Sequence, residues 1–297
     1  MQNTIKLAII LLLGAVTTAA AQPAESNDEA LEIAAIEARM VAPPAKALPI
    51  VARVLSGNKS DDVKSRALFV LSQINLPEAH TILLDTARNG SPALRLEAIR
   101  MIGISGESAV LSQLGELYRS GDLQTKEQVL QAYLIAGDTE AVYELAVNAD
   151  SEEEFEIAVQ TLGAMGATDK LRALRGQSGI SETLIRAYSI AGDYESLRDM
   201  AMDGSDPQLQ AKAIQSLGVV GGDDNNDILL DIYRGSDSKH VRDAALHGMM
   251  ISGYDEGVVQ LFRESSDPQE KRQMLQMLVA MDSDAALEII DETLGDQ

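Results

Sequence analysis

The chain contains no cysteine and no tryptophan, and its aromatic share is 3%. Without cysteine there are no disulfides and no thiolate metal ligands, so stability must come from burial alone. A composition that is 45% hydrophobic with so few aromatics leaves Ala, Leu, Ile, Val and Met to fill any core. Those residues suit closely packed helices. Prolines number eight, and several stand where helices should begin. Basic residues are also scarce: 24 Lys and Arg face 46 Asp and Glu, a formal charge of −22. That charge repels nucleic acid and anionic lipid and excludes both as partners. Its plain reading is solubility, with a basic partner or cations as the functional one.

Residues 1–21 stand apart. Lys6 supplies a positive start, Leu7 to Val16 is an apolar run, and Ala19-Ala20-Ala21 offers small residues ahead of Gln22. This is the pattern of a cleaved secretory signal, and the run is shorter than the ~20 apolar residues that span a bilayer. The mature chain is expected to be exported, to the periplasm or beyond, with no transmembrane helix. Residues 22–27 read as a short leader and 28–60 as a capping helix pair, broken by Ala42-Pro43-Pro44.

What the chain has in abundance is itself. Tyr133 to Leu145 reads YLIAGDTEAVYEL and Tyr188 to Met200 reads YSIAGDYESLRDM, with six of thirteen positions identical. From Asp61 to the end, the residue ending the first helix of each unit gives a register: Asn75, Gly106, Gly137, Gly166, Gly192, Gly221, Gly253 and Asp282. Spacings run from 26 to 32 residues, shortest between Gly166 and Gly192. Gly, Asn and Asp are the residues that best tolerate the left-handed turn closing a helix.

Three columns share this register. Eight residues before the anchors stand Ala67, Ala98, Val129, Ala158, Leu184, Ala213, Ala245 and Met274. Seven before are Leu68, Ile99, Leu130, Val159, Ile185, Ile214, Leu246 and Leu275. Four before are Leu71, Ile102, Tyr133, Leu162, Tyr188, Leu217, Met249 and Leu278. These offsets fall on one helical face, which should be buried. Asp61, Ser91, Asp122, Ser151, Asp206, Asp237 and Asp267 are placed to cap the first helices, with Pro92, Pro207 and Pro268 at the favoured first position. A shorter second helix follows each anchor. The expected fold is all-α: an α-solenoid of about eight stacked helix pairs over 61–297.

A capped first helix such as Asp237 to Gly253, DSKHVRDAALHGMMISG, resembles a HEAT repeat, closest to the short bacterial type also called PBS-lyase-like HEAT. That family often carries a basic residue near the inner face of a helix. Eleven residues before the anchors this chain has Lys64, Arg95, Lys126, Arg242 and Lys271, but Phe155, Ser181 and Gln210 in the middle units. The five basic residues are a candidate interaction surface, set against simple ion pairing between units. The resemblance implies the solenoid; it also brings a second function class, an enzyme or enzyme accessory of the phycobilin-lyase type.

Chemical motifs are few. His240 and His247 are seven apart on one helix and His80 is distant, which is not a metal-ligand spacing. Asp223 to Asp227 has oxygen ligands at alternate positions, as a calcium loop begins, but Ile228 and Arg234 stand where Gly and Glu would be needed. The plain alternative there is a solvated turn with Asp227 capping the next helix; the sharper one is a calcium-dependent adhesion module. No nucleophile elbow, HExxH or phosphate-binding glycine loop occurs. No catalytic, cofactor-binding or metal residue is therefore assigned and no cofactor is expected. The expected function is a non-enzymatic, exported, monomeric scaffold for a protein partner.

Overall fold

The computed structural model describes residues 27–178 and 181–295. The signal read at 1–21, most of the leader at 22–27, and Gly179 in the central unit lie outside them. The described residues form helices joined by short turns, with no strand among them. Contacts divide the chain into two compact units, 1–98 and 99–297.

In the first unit, helices Asn27–Glu37 and Pro44–Ser56 pack on Asp61–Ser72, which packs on Pro77–Asn89. Pro44 and Pro77 each open a helix, where a missing N–H costs nothing. Two sequence expectations are corrected here. Ser60, not Asp61, is the N-cap: its Oγ accepts the Val63 N–H at 3.4 Å, while Asp61 is already helical and accepts from Ser91 Oγ at 3.2 Å. Asn75 does not close the first helix. That helix ends at Ser72 with Gln73 right-handed, and Asn75 is not among the residues of positive φ. The connection runs on to Pro77, and Leu76 is extended, as a residue before proline must be. A left-handed reversal has no place there.

In the second unit, helix pairs follow one another: Leu123–Ala136 with Thr139–Val147, Glu152–Ala164 with Thr168–Ser178, and Glu182–Ala191 with Tyr194–Met202. Pro207–Val220 with Asp223–Gly235, Lys239–Ser252 with Asp255–Glu264, and Pro268–Ala280 with Asp284–Gly295 complete the series. Every anchor here has positive φ, from 55° at Asp282 to 75° at Gly137. At five of them the next residue's N–H reaches back to a carbonyl of the apolar column four before the anchor. These bonds run from Asp138 to Tyr133, Ala167 to Leu162, Asp193 to Tyr188, Tyr254 to Met249 and Ser283 to Leu278, all at 2.9–3.1 Å. One column thus supplies both a buried side chain and the acceptor that reverses the chain.

Asp122, Ser151, Asp206 and Asp267 cap their helices as the sequence suggests, and Ser181 caps Glu182–Ala191 in the same way. Asp237 does not. Ser238 takes the cap position without a side-chain bond, and the Asp237 carbonyl accepts from Arg242 Nη1 at 3.1 Å. The column eight before the anchors is fully buried throughout, from Ala67 to Met274. The seven-before and four-before columns are buried too, except Leu275 in the last helix pair. This is the all-helical, HEAT-like α-solenoid class.

The second unit also has a longer period. A Cβ on Gly103 would stand 2.6 Å from Ala132 Cα, one on Gly163 3.1 Å from Ala187 Cα, and one on Gly218 2.5 Å from Gly248 Cα. Each glycine lies three residues before its anchor and lets the following first helix approach backbone to backbone. In the alternate helices that position holds Leu134, Ser189 and Met250. First helices are therefore tied in twos, with a looser junction between one two and the next. The recurrence of Ile-Ala-Gly-Asp at 135–138 and 190–193 is this two-pair period.

Candidate interaction surface

The basic residues singled out by the register are half-buried, and those with bonds spend them between neighbouring helices. Lys126 Nζ lies 2.5 Å from Glu154 Oε1 and 5.5 Å above the Tyr118 ring. Arg242 reaches Glu270 at 3.6 Å and the Ser236 carbonyl at 3.0 Å, with Tyr233 beside both. The two sets are one arrangement used twice: tyrosine, base, and an acid 28 residues further on. Burial first and the nearby glutamates second push both phenols up to about 12. Lys271 sits 5.1 Å over Phe262. In the first unit Lys64 is half-buried, and Arg95 buries its Nε without a hydrogen-bond partner. These groups do not form a line of free donors; the best-placed of them join units.

His240 and His247 are both exposed, and no group of three His, Asp or Glu able to hold a metal occurs among the described residues. The turn expected over Asp223 to Asp227 is corrected: the helix already begins at Asp223. Asn225 is buried there, accepting from Arg198 Nε at 2.9 Å and donating to the Gly221 carbonyl at 2.7 Å. Helical geometry sends the alternate oxygens of Asp223 to Asp227 to different faces, so they cannot converge as a calcium loop requires. Gly221 and Gly222, both at positive φ, make the short reversal that lets the helix start so early.

A polar cluster missed in the sequence ties the central helices. Asp193, its side chain 2% exposed, accepts from Arg172 Nε at 2.7 Å and Nη2 at 2.6 Å and from Ser196 Oγ at 2.8 Å. Its other task is to cap the helix from Tyr194, through the Ser196 N–H at 3.3 Å. Burial alone would raise this carboxyl, but the Arg172 and Ser196 bonds hold it below its ordinary value. The cluster fixes one helix pair on the next; the repeated Asp-after-Gly was visible, its arginine partner was not.

One face remains. Six residues before the anchors of the second unit stand Arg100, Gln131, Gln160, Arg186, Gln215, His247 and Gln276. Two before are Ile104, Ile135, Ala164, Ile190, Val219, Ile251 and Ala280. The two columns lie one helical turn apart on the first helices, on the side away from the core. Ile190 is 60% exposed, Val219 69% and Ile251 44%. In a chain with 46 acids, none of these fourteen positions is a carboxylate. The acids lie one further turn along, and they bond across to the next first helix: Glu156 to Arg186 at 2.8 Å, Glu182 to Lys212 at 3.5 Å, Asp243 to Gln273 at 3.2 Å. The junction between Glu182–Ala191 and Pro207–Val220 is one of the loose ones. A groove of about 370 Å³ opens there beside this face, lined by the Glu182–Lys212 pair, Arg186 and Val219 and continuing to His247 and Ile251.

These features define a class, an α-solenoid of helix pairs with a carboxylate-free strip along its first helices. Within it, residues 48–134 match the family model of HEAT repeats. No curated protein matches the chain in sequence. Among solved structures, the complex of CpcE and CpcF of phycocyanin lyase from Nostoc sp. PCC7120 is similar at 16% identity and a TM-score of 0.35, over 89% of this chain and 100% of that one. Human deoxyhypusine hydroxylase in complex with glycerol is similar at 15% identity and a TM-score of 0.32, over 75% and 96% of the two chains.

Proposed function

We propose that the protein is a non-enzymatic scaffold, exported as a monomer, that holds a protein partner on the outer face of its first helices. The observation that carries this reading is the strip, rich in amides and aliphatic side chains, in which no carboxylate occurs. On a chain of charge −22, a strip of amide, basic and aliphatic side chains free of carboxylates is where an acidic or neutral partner is least repelled. The reading is tested by placing a photo-crosslinking residue at Ile190 or Val219 and, as a control, at Asp199 on a second helix. Adducts with a protein partner are expected from the first two positions only. Equal yields from all three, or none from any, overturn it. Export is tested separately by the mass of the chain in the exported fraction, which should begin at Gln22. No helix among the described residues is long and apolar enough to cross a membrane.

A further inference from the structure

We infer that the groove at Arg186, Lys212 and His247 takes an acidic peptide segment of a partner, with a carboxylate among those three side chains and a nearby aliphatic side chain on Val219 and Ile251. This rests on the scaffold reading and adds the chemistry of the partner. The first support is the charge of the lining. The chain has 46 acids to 24 Lys and Arg, yet here Glu182 is the one carboxylate beside Arg186, Lys212 and His247. A groove on the second helices, lined by Asp255, Glu256, Glu264 and Arg263, has the opposite balance. The second support is the donors left over. Arg186 and Lys212 are each about half exposed. Of the five N–H donors of its guanidinium, Arg186 gives one hydrogen bond to Glu156. Lys212 stands 3.5 Å from Glu182, an ion pair without a hydrogen bond, and His247 is exposed. A carboxylate, which accepts at both oxygens, suits such a set. The third support is layout. Val219 follows Gln215, and Ile251 follows His247, by one helical turn, so the exposed aliphatic level lies ~6 Å along the helices from the polar one. The net charge of −22 opposes approach, but at physiological ionic strength it is screened over ~8 Å, and a docked carboxylate meets the lining first.

The test uses the full mature chain and fluorescent octapeptides made of Glu and Val, of Glu and Ser, and of Lys and Val, followed by anisotropy at physiological salt. Glu–Val should bind with saturation, and Glu–Ser about tenfold more weakly, the scale of losing an apolar anchor. Lys–Val should also bind at least about tenfold more weakly than Glu–Val, against the sign of the chain's net charge. His247→Glu, which sets a carboxylate in the groove, and Val219→Gln should each weaken Glu–Val about tenfold. Gln260→Glu, the same substituent on an exposed position of a second helix, should leave it unchanged. Should either groove variant lower the melting temperature, Val219→Ala repeats the comparison with a milder change. A preference for Lys–Val would mean that net charge governs, and would overturn the proposal. So would equal effects of His247→Glu and Gln260→Glu, no effect of either groove variant, or a dimer in sedimentation that Val219→Gln splits. If the peptides fail while crosslinks from Ile190 and Val219 persist, only the partner chemistry falls; if both fail, the scaffold reading falls with it.

Discussion

Gly137 stands at φ 75° with nothing within 4 Å of where a Cβ would be, so its cost of substitution is conformational and not steric. Gly137→Val should destabilise by about 1–2 kcal/mol. A urea midpoint unchanged from the parent would refute the assignment. Asp193 works differently, through charge. Its folded carboxyl lies below the ordinary value, so its contribution is complete above the unfolded pKa of ~3.9 and is lost as pH falls through the folded one. Asp193→Asn should therefore melt below the parent at neutral pH, with the gap closing on acidification below about pH 4. A gap that is the same at about pH 7 and about pH 2.5 would show that the Arg172 pairing is not its source. The capping half of Asp193 was legible from its place after Gly192. Its partner was not, because Arg172 belongs to an earlier helix, 21 residues back.

At the level of the element, glycines of identical helix propensity have opposite roles. Gly218 meets the Gly248 backbone, whereas Gly176 in Thr168–Ser178 is exposed with nothing within 4 Å. Propensity alone favours alanine at both by up to ~1 kcal/mol. Gly218→Ala should instead lose about 1–3 kcal/mol, because two helices must part, while Gly176→Ala should gain about 0.5–1 kcal/mol. Thermal melts of both variants moving in the same direction would refute the two-by-two tying of the first helices. The column pattern showed which face is buried. It did not separate the Gly103, Gly163 and Gly218 contacts from ordinary helical glycines, since closeness depends on the facing helix.

For the whole molecule the balance of charge decides. Most ion pairs within the described residues join neighbouring helices and are exposed at one partner or both, so each contributes little. Self-repulsion at −22 acts on all of them together. Raising sodium chloride from low to moderate concentration should accordingly raise the melting temperature, as repulsion is screened faster than the short pairs are weakened. A falling melting temperature would mean that the pairs dominate.

Helices, most of their caps and the face each turns inward could be read from the residues in order, because these depend on a spacing of 3.6 residues and on local bonds to neighbouring backbone. The clue to the longer period was also there in Ile-Ala-Gly-Asp, though not its meaning. Packing in three dimensions settled the rest: which basic residues are consumed between units, where first helices touch and where they part. It also brought the six-before and two-before columns together as one carboxylate-free strip. Those are relations between side chains about thirty residues apart, and no local pattern encodes the distance between two helices.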